Sequence, residues 1–179
     1  MRRKEASFKT IFWVMALSMF IALFWNQLGF IKYAVNIILN PTAGVLLNWN
    51  LIIGMTILTI ILTLFSSLAQ KYGTNQEELQ RIKKEQKEIQ KKMKEIKNNP
   101  EELMQLQKEI FPLTSKSFKL SMGAIAYTSI PILLLFRWFN DFFISIGNPK
   151  ILFGLNWFWF YFILTMILST IFRKVLKIA

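Results

Sequence analysis

Four long apolar segments in this chain are divided two and two by a charged stretch, Lys71 to Lys119, whose apolar residues keep a heptad spacing. An apolar run of about 20 residues is what a helix needs to cross a hydrocarbon core of about 30 Å. The pattern therefore predicts an all-α membrane protein with a helical hairpin planted between its second and third spans. With 54% hydrophobic residues gathered into nearly uncharged blocks among 179 positions, the chain has no room for a second large soluble domain.

Several chemistries are excluded by composition. The chain has neither histidine nor cysteine. Cysteine nucleophiles, disulfides, thiolate metal sites and the commonest general base are therefore absent. No Gly-rich phosphate loop, HExxH motif or pair of intramembrane carboxylates is present either. The expectation is a non-enzyme without cofactor or metal.

Along the chain, Arg2, Arg3, Lys4 and Lys9 precede the uncharged run Thr10 to Trp25. This reads as a retained span. A cleaved signal is the alternative, against which the run ends in Phe24-Trp25-Asn26-Gln27 with no small-x-small site. Leu28, Ile31, Val35, Ile38 and Leu39 then fall at helical spacing, with Gln27, Lys32 and Asn36 between them. That pattern suits an amphipathic helix in the interface, broken at Asn40-Pro41-Thr42, or a continuation of the first span. Ala43 to Ala69 is the longest uncharged stretch and the second span.

In the charged region, Leu79, Ile82, Gln86, Ile89, Met93 and Ile96 step by 3, 4, 3, 4 and 3, an a/d seam with one polar position. Asn98-Asn99-Pro100 stops one helix and opens the next, with Glu101 and Glu102 in its first turn. Leu103, Leu106, Ile110 and Leu113 repeat the spacing. Two seams about a tight turn predict an antiparallel coiled-coil hairpin; self-association through the first arm is the alternative. Phe118 to Phe139 and Ile151 to Phe172 are the third and fourth spans, joined by a loop with a Gly147-Asn148-Pro149 turn. Positive charge concentrates at the N-terminus, in the hairpin and at Arg173, Lys174 and Lys177, which places all three, and both termini, in the cytoplasm.

Polar side chains mark a candidate site. Thr56, Thr59, Thr63, Ser66 and Gln70 share one helical face, as do Tyr161, Thr165, Ser169 and Arg173, with Ser121 and Thr128 adding a weaker stripe. Together they would line a wet groove open to the cytoplasm. Hydroxyls bonded back to their own helix, or packed at helix contacts, are the competing reading. Arg137 lies near the end of its span with Asp141 one turn on; a structural pair is the favoured reading and a functional intramembrane charge the alternative. From Lys71 to Lys119 there are 12 basic and 8 acidic residues, an excess suited to ribosomal RNA or anionic lipid. Lys83, Lys84, Lys87, Lys91 and Lys92, with Met93 and Met104, are the candidate ribosome or nascent-chain contacts.

A span, a cytoplasmic coiled-coil hairpin and two closely linked spans resemble the YidC/Oxa insertase superfamily. The run Asn98 to Met104 and the start of the last span at Asn156 to Tyr161 look like the archaeal YidC-like group, relatives of the third subunit of the ER membrane protein complex. The resemblance implies an insertase or membrane-protein chaperone, with a three-span core around a hydrophilic groove. Nascent membrane proteins would be its substrates, a ribosome and membrane lipids further partners, and the plasma membrane its location; a partner subunit is left open. It divides the chain into a basic segment and extra span (1–27), an interfacial helix (28–42), core span one (43–70), the hairpin (71–117), core span two (118–140), an extracytoplasmic loop (141–150) and core span three with a basic tail (151–179). Many such proteins carry an arginine in the first core span; Ala43 to Ala69 has none. From a different class, an ion channel or small transporter, or a passive coiled-coil scaffold, also fits the layout.

Overall fold

A computed structural model describes residues 8–96 and 99–178. Arg2, Arg3, Lys4 and Asn98, on which parts of the reading above rest, lie outside them. The order is α1 (Phe8–Leu23), α2 (Gly29–Leu39), a π turn (Asn40–Gly44), α3 (Val45–Trp49), α4 (Leu51–Gly73), α5 (Gln76–Glu95), α6 (Pro100–Ser145) and α7 (Trp157–Leu176). The described residues are helix and connecting turns, with no strand among them.

Three segments are long and apolar enough to cross a membrane: Gly29–Trp49, Leu51–Gly73 and Trp157–Leu176. The two parts of α6, Pro100–Gly123 and Thr128–Ser145, are bent by 63° and count as a fourth only where the bent pair is taken as one span. Pro131 explains a bend there, because it removes the N–H that would bond the carbonyl of residue 127 and crowds that carbonyl. The first apolar run is shorter than expected of a span, as α1 has 16 residues, about 24 Å of helix.

Element boundaries differ from the sequence reading in three places. The stretch from Ala43 to Ala69 is not one helix. Asn50 adopts an extended backbone and its carboxamide oxygen accepts from the N–H groups of Ile52 and Ile53, capping α4 at 3.1 and 3.0 Å. The chain folds back so tightly that a Cβ at Gly54 would stand 2.6 Å from the Leu46 carbonyl oxygen. Asn40-Pro41-Thr42 does not end α2; a π turn carries the helix through it, and Thr42 Oγ1 donates to the Ile38 carbonyl at 2.7 Å. The last helix begins at Trp157, not Ile151, because Asn156 caps it by accepting from Trp159 N–H and Ile151–Leu155 closes a turn first.

Gly29–Trp49 passes the length test for a span, yet it does not run along the bundle. Lys32 pairs with Asp141 at 2.6 Å, Asn40 accepts from Trp138 Nε1 at 3.0 Å, and Gly44 lies against the Trp138 ring. Twelve residues, about 18 Å of helix, thus pass over three residues of α6, about 4.5 Å. The segment crosses α6 steeply near one end.

The remaining helices pack side by side. Helix α4 contacts α6 and α7, and α1 lies on the outer flank of α6, where Ser18 and Ser129 hydroxyls meet at 3.2 Å. The core is an aromatic layer. Ala43, Leu47, Met55, Leu58, Trp138, Phe139, Phe143, Phe160 and Tyr161 are buried together, with Phe143 stacked on Trp157 at 5.7 Å and Phe136 edge-on to Tyr161 at 4.8 Å.

Candidate functional site

Beyond the aromatic layer, toward the ends of α4 and α7, the three helices part around a recess of about 310 Å³. Its walls are Ser66, Ser67 and Gln70 of α4, Thr128 and Ile132 of α6, and Ser169 and Arg173 of α7. Arg173 Nη2 reaches Gln70 Oε1 at 3.5 Å across the mouth. The arrangement needs parallel α4 and α7, so that each helix delivers its last polar turn to one level. Five sequence-expected residues converge here from three elements: Ser66, Gln70, Thr128, Ser169 and Arg173. Ser67 was missed, although it lies four residues beyond Thr63 at the edge of the same hydroxyl stripe.

The other expected lining residues lie elsewhere. Thr59 and Thr63 are 0% and 2% exposed, and their hydroxyls donate to the Met55 and Thr59 carbonyls, each at 2.6 Å. They pack dry against neighbouring helices, the competing reading given above. Thr56 bonds the Ile52 carbonyl in the same manner. Tyr161 belongs to the aromatic layer, and the Thr165 hydroxyl is buried one turn beyond it. Ser121 is half-buried on α6, below the recess walls.

The mouth of the recess is basic. Lys83 of α5 lies near Arg173; burial, then the adjacent guanidinium, lowers the Lys83 ammonium from its ordinary value. Helices α5 and the first part of α6 run antiparallel beneath it. Leu79, Ile82 and Leu106 are buried between them, Gln86 Nε2 donates to Thr114 Oγ1 at 3.0 Å, and Lys116 pairs with Glu78 at 2.5 Å. Asn99 caps α6 by accepting from Glu102 N–H, with Pro100 at its first position. The hairpin lysines Lys84, Lys87, Lys91 and Lys92 are exposed, Met104 is exposed and Met93 is half-buried.

At the opposite end of α6, Asp141 does not depend on Arg137 alone. Its Oδ2 accepts from Trp25 Nε1 at 2.9 Å and pairs with Lys32, while Arg137 adds its charge to the same carboxylate. Trp25 is fully buried there. This tie of α1 and α2 to α6 joins residues more than a hundred positions apart, which local spacing does not reveal.

The chain was also compared with known protein families, curated proteins and solved structures. The model for integral membrane proteins described as EMC3/TMCO1-like matches residues 36–157, about two thirds of the chain. No curated protein and no solved structure matches. The matched region runs from α2 through the first residue of α7 and so takes in α4, the hairpin and all of α6. The chain belongs to the EMC3/TMCO1-like family of integral membrane proteins, which stands with the YidC, Oxa1 and EMC3 insertase-related proteins.

Proposed function

We propose that the protein is a membrane insertase that admits the polar flank of a substrate into the recess while the substrate's apolar segment enters lipid. The observation that carries this reading is the convergence of Ser66, Ser67, Gln70, Thr128, Ser169 and Arg173 on one cavity of about 310 Å³ among apolar helices. An unpaired polar group in hydrocarbon costs several kcal/mol, of the order of 2–7. Hydroxyls, an amide and a guanidinium at that depth replace part of its hydration and lower the barrier. No bond is made or broken, so neither a nucleophile nor a general base is required.

In this reading α5 and the first part of α6 form the cytoplasmic coiled-coil hairpin. The exposed Lys84, Lys91 and Lys92 are its candidate contacts with a nascent chain or ribosome. Both termini are cytoplasmic, supported by the distribution of lysine and arginine. The α2–α3 segment lies at the opposite interface, supported by its steep crossing of α6. The membrane is the plasma membrane of a prokaryotic, archaeal-type cell, supported by the resemblance of Asn98–Met104 and Asn156–Tyr161 to that group.

The test replaces Ser67, Gln70 and Ser169 by leucine and measures insertion of a single-span substrate with a short polar N-terminal tail into proteoliposomes. A several-fold loss is expected. Thr59→Val with Thr63→Val, which removes hydroxyls packed away from the recess, leaves insertion unchanged. Equal insertion by all these variants, each folded, refutes the reading; conductance by the purified protein favours a channel.

A further inference from the structure

The two sides of the hairpin differ in chemistry. One side carries the Lys116–Glu78 pair and a cleft bounded by Lys92, Glu95, Glu102 and Glu109. At 100° per residue, Glu85 and Glu88 project to that same side of α5. The other side is marked by the Gln86–Thr114 hydrogen bond. Lys83, Lys87 and Lys94 share that side of α5, and no acidic residue of α5 falls there.

On α6 the same side shows Met104, Phe111 and Phe118, spaced by seven and 56%, 74% and 58% exposed. Seven residues is nearly two turns, so they form one apolar stripe about 21 Å long. Their exposure is not a gap in the seam, because Leu106 and its neighbours already fill it. The stripe is continuous with the membrane-spanning part of α6, since Met122 lies one further turn along the same face.

Position and charge indicate what covers this face. The 63° bend turns Pro100–Gly123 away from the axis of Thr128–Ser145 and toward the membrane plane. The hairpin therefore leans along the bilayer instead of projecting from it. The Phe118 face of α6 continues through Met122 into its membrane-spanning part, and Lys83 lies near Arg173 at the end of α7, so the basic and apolar side is the one turned toward the spans. Aromatic residues between lysines are the chemistry of a helix that beds into an anionic headgroup layer.

We propose that the hairpin rests on the anionic lipid surface of its own membrane through Met104, Phe111 and Phe118, flanked by Lys83, Lys87 and Lys94. The side that carries the Lys116–Glu78 and Arg81–Glu85 pairs then faces the aqueous phase. This contact holds the hairpin over the recess mouth at a fixed slope, and it holds whether or not the recess inserts proteins.

The test uses the full chain in nanodiscs and its natural lack of cysteine. A spin label is placed through Phe111→Cys, through Met104→Cys as a second position, and through Glu88→Cys as the aqueous reference. In discs containing phosphatidylglycerol, labels at 104 and 111 meet oxygen readily and a water-soluble nickel complex several-fold less than the label at 88 does. Lys83→Glu with Lys87→Glu and Lys94→Glu, or discs of phosphatidylcholine alone, restores nickel access. Labels at 104 and 111 as open to nickel as the label at 88 in anionic discs overturn the proposal. Protection that appears only when an apolar peptide is added, or that vanishes at one copy per disc, also overturns it, and identifies a substrate segment or a second copy as the occupant.

Discussion

Gly54 and Asn50 show how one short run of residues sets the start of a span. Asn50 supplies the acceptor for two otherwise unpartnered N–H groups, and Gly54 supplies the space for the preceding helix to fold back. Gly54→Ala places a methyl 2.6 Å from a backbone oxygen, which cannot move as a side-chain tip can. It is expected to cost about 1–3 kcal/mol, read as a lower thermal midpoint in detergent. Asn50→Ala costs about 1 kcal/mol by the same measurement. Gly29→Ala, whose Cβ meets nothing within 4 Å, changes little. The break was illegible in the sequence because hydropathy averages Asn48 and Asn50 into their apolar surroundings. The threonines were misread for a related reason. A hydroxyl stripe specifies a face, but whether that face meets water, lipid or another helix is decided by neighbours far along the chain.

At the scale of elements, the two amphipathic charged helices were the most legible part, because 3-and-4 spacing against a charged background marks one buried face on each, whatever that face meets. The arms of the hairpin bury Leu79, Ile82 and Leu106 as the seam requires. Leu79→Ala, at a site 1% exposed, is expected to cost about 2–5 kcal/mol and to separate the arms, checked by hydrogen exchange at α5. The docking of α1 was not legible, since it rests on Trp25, Lys32 and Asp141, with Ser18 against Ser129. Ser18→Cys with Ser129→Cys, whose parent hydroxyls are 3.2 Å apart, is expected to crosslink on oxidation within one chain. Adding Asp141→Asn lowers the crosslinked fraction by loosening the tie at the end of α1. Crosslinking at the same yield with and without Asp141 would show that the apolar contact alone holds α1.

At the scale of the molecule, polarity is graded along the three packed helices. The end near α5 holds the recess and its basic mouth, dry threonines follow, and the layer of Phe139, Phe143, Trp157 and Tyr161 closes the other end. Two polar stripes in the sequence end at the level of this recess; its depth was not legible, because it depends on how closely α6 approaches at Thr128. The closed end has an electrical consequence. In the proposed insertase a wet recess sustains little field, so a resting potential drops across the dry threonines and the rings beyond them. Each elementary charge then meets its roughly 2.3 kcal/mol per 100 mV within that short distance. On that reading a substrate's charged tail parked among the serines is nearly indifferent to voltage, and feels it only on the step past the threonines and rings.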